Sequence, residues 1–162
     1  VDAWIGLGAN LGDRRATLEA ALDALRLLPR TRLVARSRLW SSAPIEAAGP
    51  DYLNAVARLD TLLDPPTLLA ALQAIEQRFG RRRDGHNAPR TLDLDLLLAG
   101  DATIDTPALS VPHPRLHRRA FVLRPMADID PRQPIPGRGT VRDALAAVTD
   151  QHCVPLPQGG RR

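Results

Sequence analysis

Lysine is missing from this 162-residue chain, so its 22 Lys-plus-Arg positions are all arginine. A P-loop places a lysine on the phosphates of its nucleotide, and that class of site is therefore excluded. Any phosphate chemistry must run on arginine or metal. Cysteine occurs once, at Cys153, which rules out an internal disulfide. No apolar run approaches the ~20 residues a membrane-spanning helix needs. Val1 to Leu7 leads straight into patterned sequence with neither a basic leader segment nor a cleavage signal, so the expected location is the cytoplasm. Aromatic residues make up only 3% of the chain, and stacking platforms for nucleic-acid bases are correspondingly scarce.

What remains is close to the composition of an ordinary globular domain, with 44% apolar and 25% charged residues and a net charge of +4. The length suits a single domain over residues 1–162, with neither an internal repeat nor a linker. Trp4 to Gly8 reads as a short buried strand that ends in a glycine turn, after which Asp13 can cap a helix running to about Leu28. Leu18, Ala21, Leu22, Leu25 and Leu28 form its apolar stripe, and Pro29 stops it. Leu33 to Trp40 is expected as one strand and Ser41 to Asp51 as a loop. Tyr52 to Leu63 is expected as a further strand, with Leu53, Ala55, Ala57 and Leu59 on one face.

Asp64-Pro65-Pro66 opens a second helix, Thr67 to Phe79, since proline early in a helix costs no hydrogen bond. Leu92 to Leu98 is the clearest strand, followed by a hairpin-type turn at Gly100-Asp101 into Ala102 to Ile104. Beyond it lie a Pro-His-Pro segment, an apolar stretch from Phe121 to Ile129, and a short helix near Val141 to Val148. Gln151 to Arg162 is expected to fray. Strand, helix, strand, strand, helix, strand is the order of a ferredoxin-like α+β sandwich, a mostly antiparallel sheet with helices packed on it.

Asp93 and Asp95 leave the same face of their strand with Cα atoms roughly 6.6 Å apart, while Leu92, Leu94 and Leu96 take the other face to the core. Two carboxylates that close need a partner, either neighbouring arginines or a divalent cation completed by phosphate oxygens. Arg81, Arg82, Arg83 and Arg90, and further on His113, Arg115, Arg118 and Arg119, flank the pair, as polyphosphate plus metal would require. A basic run could also track a nucleic-acid backbone, but acidic residues interrupt it. The glycines at 6, 8 and 12 depart from a dinucleotide fingerprint in spacing, and let the backbone approach some other ligand or make the turn. Tyr52, Asn54 and Phe121 read either as core packing or as a seat for a planar heterocycle with paired donor and acceptor edges.

The run His86-Asn87-Ala88-Pro89-Arg90-Thr91-Leu92-Asp93-Leu94-Asp95-Leu96-Leu97 resembles the signature of the 6-hydroxymethyl-7,8-dihydropterin pyrophosphokinases of folate biosynthesis. Flanking pieces, Gly8 to Gly12, Pro50 to Ala55, Val111 to Arg115 and Arg119 to Leu123, follow in the family's order. The resemblance implies a ferredoxin-like fold and transfer of pyrophosphate from MgATP to the pterin hydroxymethyl group, with release of AMP. It implies Asp93 and Asp95 as ligands of two Mg²⁺ ions, with Tyr52 and Phe121 sandwiching the pterin. Asn54 would bond the pterin edge, helped by backbone groups of Ser42, Ala43 and Ile45.

On the same resemblance Gln73, Glu76, Arg83, Arg90, Leu96, Ser110, His113 and Arg119 contact ATP. Arg81 and Arg83 would act from a loop, hinged at Gly80 and Gly85, that closes over the nucleotide, and Arg90 joins them in catalysis. The expected partners are ATP and the pterin, without nucleic acid or membrane, and the expected state is a monomer. The chain departs from some members at Asn87 and Ala108, where they carry tryptophan and arginine. A non-catalytic ferredoxin-like domain binding RNA or a small ligand is the alternative.

Overall fold

A computed structural model of the chain describes residues 1–10, 12–42, 51–79 and 92–157. Strand β1 (Asp2–Ala9) leads to helix α1 (Arg14–Arg26), which starts where Asp13 accepts a hydrogen bond from the Ala16 N–H at 3.1 Å. Strands β2 (Thr31–Arg36), β3 (Trp40–Ser42) and β4 (Tyr52–Thr61) follow. Helix α2 (Pro65–Arg78) is capped by Asp64, and starts two residues before the sequence pattern suggested because both prolines fit its first turn. After it come β5 (Asp93–Ala99), β6 (Ile104–Asp105), β7 (Ser110–Val111), α3 (Ala120–Ile129), α4 (Val141–Leu145) and β8 (Cys153–Pro155).

The main sheet runs β5-β1-β4-β3-β8, with β2 also paired to β4, and every pairing is antiparallel. Because β4 lies between β1 and the β2–β3 stretch, each βαβ unit is split by a strand of the other, which is the expected ferredoxin-like topology. Alternation along the strands sorts side chains into two cores. Ile5, Leu7, Leu59, Leu94 and Leu96 meet Leu18, Leu22 and Leu25 of α1 and Leu68, Leu72 and Ile75 of α2. On the other face Trp4, Trp40, Val56, Leu97 and Leu98 meet Leu123 and Met126 of α3 and Val141 of α4. A register shift between Trp4 and Ile5 lets the consecutive Leu97 and Leu98 both join this second core.

Three expectations from the sequence are corrected. The strand expected over Leu33 to Trp40 is two strands, because the Val56 N–H donates to the Ser37 hydroxyl at 2.9 Å instead of to a ladder carbonyl. Ser41 and Ser42, expected in the loop, therefore belong to β3. The turn at Gly100 does not lay the next strand against β5, and β6 pairs with β7 instead. The outer edge of β5 is already engaged, since the Leu94 N–H donates to Glu76 at 2.7 Å and the Leu97 carbonyl accepts from the His113 N–H at 2.9 Å. Finally, Cys153–Pro155, expected to fray, is a strand: Cys153 pairs with Ser42 and Pro155 with Trp40, and the Leu156 N–H donates to the Leu39 carbonyl.

Helix α3 is tied to β3 through one carboxylate. Asp128, with its side chain 15% exposed, accepts hydrogen bonds from the Arg38 backbone and guanidinium and from the Trp40 indole N–H, the last at 2.9 Å. Burial pushes its pKa up, but the hydrogen bonds from Arg38 and Trp40 outweigh that and hold it below the usual carboxylate value. Asp128→Ala is expected to destabilise the protein by about 2 kcal/mol in urea unfolding at pH 7. A depressed folded-state pKa means this contribution is present above the unfolded pKa and is lost as pH falls through the folded one. The wild-type advantage should therefore shrink below about pH 4 in the same measurement.

Candidate active site

The register of three strands builds one row of side chains. Gly8 of β1 is paired with Asp93 of β5 on one side and Asn54 of β4 on the other, and Asn54 is paired in turn with Trp40 of β3. One pleat along, Gly6 lies between Asp95 and Val56. Cross-strand partners present their side chains on the same face, so Asp93, Asp95, Asn54 and Trp40 all rise on the α3 side, with two glycines between the acids and the amide. The half-buried Asp93 and Asp95 face away from the core that holds Leu94 and Leu96, as the alternation predicts.

Any side chain at position 8 would crowd the row. A Cβ there would come within 3.3 Å of the Asn54 Oδ1 and 3.9 Å of the Tyr52 ring. Asn54 is buried and its amide donates to the Ser42 hydroxyl at 2.7 Å, which leaves Oδ1 facing the open floor above Gly8. Ser42 thus contributes a side chain here, where the resemblance assigned it a backbone role. Tyr52, half-buried, pairs with Ser42 at the end of the row.

Phe121 enters from the start of α3, half-buried, with the Arg119 guanidinium 5.3 Å from its ring centroid. Burial lowers the pKa of Arg119, and Asp95 pulls it back up against Arg115 and Arg118. The same carboxylate acts on His113, whose pKa burial also lowers and Asp95 raises, with Arg119 and Arg115 pushing it down further. Burial and the two arginines thus favour its neutral form. Its Nδ1 accepts from the Arg115 N–H at 3.2 Å, so the proton sits on Nε2, free to donate to an anion.

The other expected residues divide. Ser110 stands on β7, half-buried, and Gln73 is exposed on α2. Glu76 is turned to the edge of β5, where it accepts from the Leu94 N–H. Leu96 has its side chain buried in the α1–α2 core, as the alternation predicts, so only its backbone is placed to meet a nucleotide. Ala43, Ile45, Arg81, Arg83 and Arg90, together with the hinges Gly80 and Gly85 and Asn87, lie outside the described residues. Trp40 was read from sequence only as a strand end; its place beside Asn54 comes from the pairing of β3 with β4, and the Arg38 guanidinium lies 5.1 Å from its indole centroid. Two open clefts of about 520 and 400 Å³ lie near α1, lined by Arg15 and Leu156, and neither includes the carboxylate pair.

Two carboxylates on one face are hard oxygen donors, and among the described residues no group of three or more His, Cys, Asp or Glu surrounds a common point. That donor set fits a cation such as Mg²⁺, which keeps several waters and takes phosphate oxygens alongside one or two carboxylates.

Comparison with known proteins concerns the chain as a whole. The family model described as 7,8-dihydro-6-hydroxymethylpterin-pyrophosphokinase (HPPK) matches residues 4–131. The chain is 48% identical over 155 residues to a Pseudomonas aeruginosa protein named 2-amino-4-hydroxy-6-hydroxymethyldihydropteridine pyrophosphokinase, covering 95% of this chain and 96% of that one. To the protein of the same name in Haemophilus influenzae it is 38% identical over 157 residues, covering 96% and 98%. A crystal structure of Plasmodium falciparum HPPK-DHPS superposes with a TM-score of 0.74 at 15% identity, over 90% of this chain and 45% of that chain, and shows the shared fold.

Ser42→Ala removes the acceptor of the buried Asn54 amide. It is expected to cost about 1–3 kcal/mol in urea unfolding, the desolvation penalty of an unsatisfied group. An unchanged midpoint would mean that the amide finds another acceptor.

Proposed function

The chain belongs to the 7,8-dihydro-6-hydroxymethylpterin-pyrophosphokinase family, and on that premise we infer that it transfers pyrophosphate from ATP to the hydroxymethyl group of 6-hydroxymethyl-7,8-dihydropterin in folate biosynthesis, releasing AMP. The observation that best supports a site for this reaction is the row Asp93–Gly8–Asn54. With strands ~4.8 Å apart, the acidic pair and the amide stand about 10 Å from one another across a floor without side chains. That span suits a flat ring at one end and the phosphates it attacks at the other.

In this reading Asn54 Oδ1 accepts from the pterin edge while its amide stays on Ser42, and Tyr52 and Phe121 take the two faces of the ring. Backbone groups of Ser42, Ala43 and Ile45 complete the seat. Asp93 and Asp95 would hold Mg²⁺, two ions in our proposal. When bound, the metal neutralises the triphosphate and braces its oxygens for in-line displacement. The pterin hydroxymethyl oxygen attacks the β-phosphorus and gives up its proton to solvent water; the bond from that phosphorus to the α,β-bridging oxygen breaks, and AMP keeps the electron pair. His113, neutral and protonated on Nε2, and Arg119 donate to phosphate oxygens, and Arg81, Arg83 and Arg90 absorb the charge that moves to the leaving group. Gln73, Glu76, Ser110 and the Leu96 backbone hold the remainder of ATP.

Among the described residues no helix is long and apolar enough to cross a membrane. A monomeric cytoplasmic enzyme of one domain completes the proposal.

Incubation with MgATP and the hydroxymethyl pterin should release AMP; release of ADP, or no turnover by a folded sample, would overturn the assignment. Asp95→Ala should lower kcat/KM by more than the ~10–100-fold that losing a metal's supporting residue costs, with an unchanged circular dichroism spectrum. Retained Mg²⁺-dependent activity would reduce the carboxylate pair to a structural role.

A further inference from the structure

Helix α3 begins without a cap of its own. Its N-cap position is Arg119, whose side chain makes no capping hydrogen bond, yet the first backbone N–H groups of a helix need acceptors. The acceptor comes from 31 residues downstream. Gln151 Oε1 accepts from the Ala120 N–H at 2.9 Å, and Gln151 Nε2 donates to the Arg118 carbonyl at 2.9 Å. One side-chain amide therefore brackets Arg119 on both sides and sets the start of the helix that carries Phe121.

Gln151 is itself held in place. Its N–H donates to the Val148 carbonyl at 3.2 Å, and two residues later Cys153 pairs with Ser42, the acceptor of the Asn54 amide. The segment from Gln151 to Cys153 thus ties the α3 wall of the site to its β3 wall. The side chain of Gln151 is exposed, so replacing it opens no cavity in either core.

We propose that Gln151 is a positioning residue, a cap supplied from a distant segment of the same chain that sets Phe121 against the pterin and Arg119 against the phosphates. The inference rests on the activity proposed above, but its first test does not. In the free protein, amide hydrogen exchange at Ala120 should be about tenfold faster in Gln151→Leu than in wild type, the loss expected for one backbone cap. In turnover, the same variant should raise KM for the pterin about three- to tenfold, with kcat lowered less and the melting temperature lowered by a few degrees at most. Gln151→Glu keeps the acceptor for Ala120 but replaces the donor to Arg118 with a repelling oxygen. It should protect Ala120 as wild type does and still raise the pterin KM, and it decides the matter if the leucine variant fails to fold.

Unchanged exchange at Ala120 in Gln151→Leu would overturn the inference. So would a lowered melting temperature with wild-type KM, which marks a merely structural cap. Absence of AMP release by the wild type would strike the proposed activity and leave the exchange result to stand for the cap.

Discussion

The site depends on strand β1 being threaded between β4 and β5 in one register. Ile5 and Leu7 point into the α1–α2 core while Gly6 and Gly8 face the other way, under Asp95 and Asp93 and beside Val56 and Asn54. A slip of one residue would turn Ile5 and Leu7 up into the site and leave glycines in the core, so burial of the Ile5 and Leu7 face keeps the side chains of β1 off that floor. A side chain at position 8 would crowd the row, since Asn54 Oδ1 lies 3.3 Å from where a Cβ would stand. Hydrophobic packing on one side of the sheet thus fixes how far apart the acids and the amide lie on the other.

Arginine supplies what lysine could not on this face. Three aromatic rings each carry a guanidinium: Arg38 over Trp40, Arg58 over Trp4 and Arg119 over Phe121, at 5.1, 5.6 and 5.3 Å from the ring centroids. A planar cation stacks on a ring while its N–H groups still reach an acceptor, as Arg38 reaches Asp128 and Arg58 reaches Asp2. Around Asp95 the same cation type meets burial. Desolvation lowers the pKa of both His113 and Arg119, and that single carboxylate opposes the shift in each, so the acid moderates the cost of burying its neighbours as well as offering oxygens.

Much of the first half of the fold was legible because its signals are local. Asp13 and Asp64 cap α1 and α2 as their position before apolar stripes predicts, and the alternation Leu92-Asp93-Leu94-Asp95 alone separates the core face of β5 from its acidic one. The interruption at Ser37 was not legible, since it comes from a side-chain hydroxyl taking the N–H of Val56, a residue 19 positions away. Nor was α3, where Pro125 inside the helix and Arg119 at its start break the usual helix signals. Strand β8 was read as fray because prolines and glycines surround it, and its order comes from the open edge of β3. Tyr52, Asn54 and Phe121 were nameable as candidates for a planar ligand, but their meeting needed strand register and the docking of α3.

By itself the sequence determined the composition limits, the periodicities of β1, α1, β4, α2 and β5, and a signature whose order identifies the family. Those are properties of spacing along the chain, and spacing survives without contacts. Only the tertiary structure decided that Gly8 lies between Asp93 and Asn54, that Ser42 holds Asn54 by its hydroxyl, and that Gln151 caps the helix carrying Phe121. Each of these joins residues 12 to 85 positions apart, at distances set by which strand edges and orphaned backbone groups remained to be satisfied once the two cores had closed.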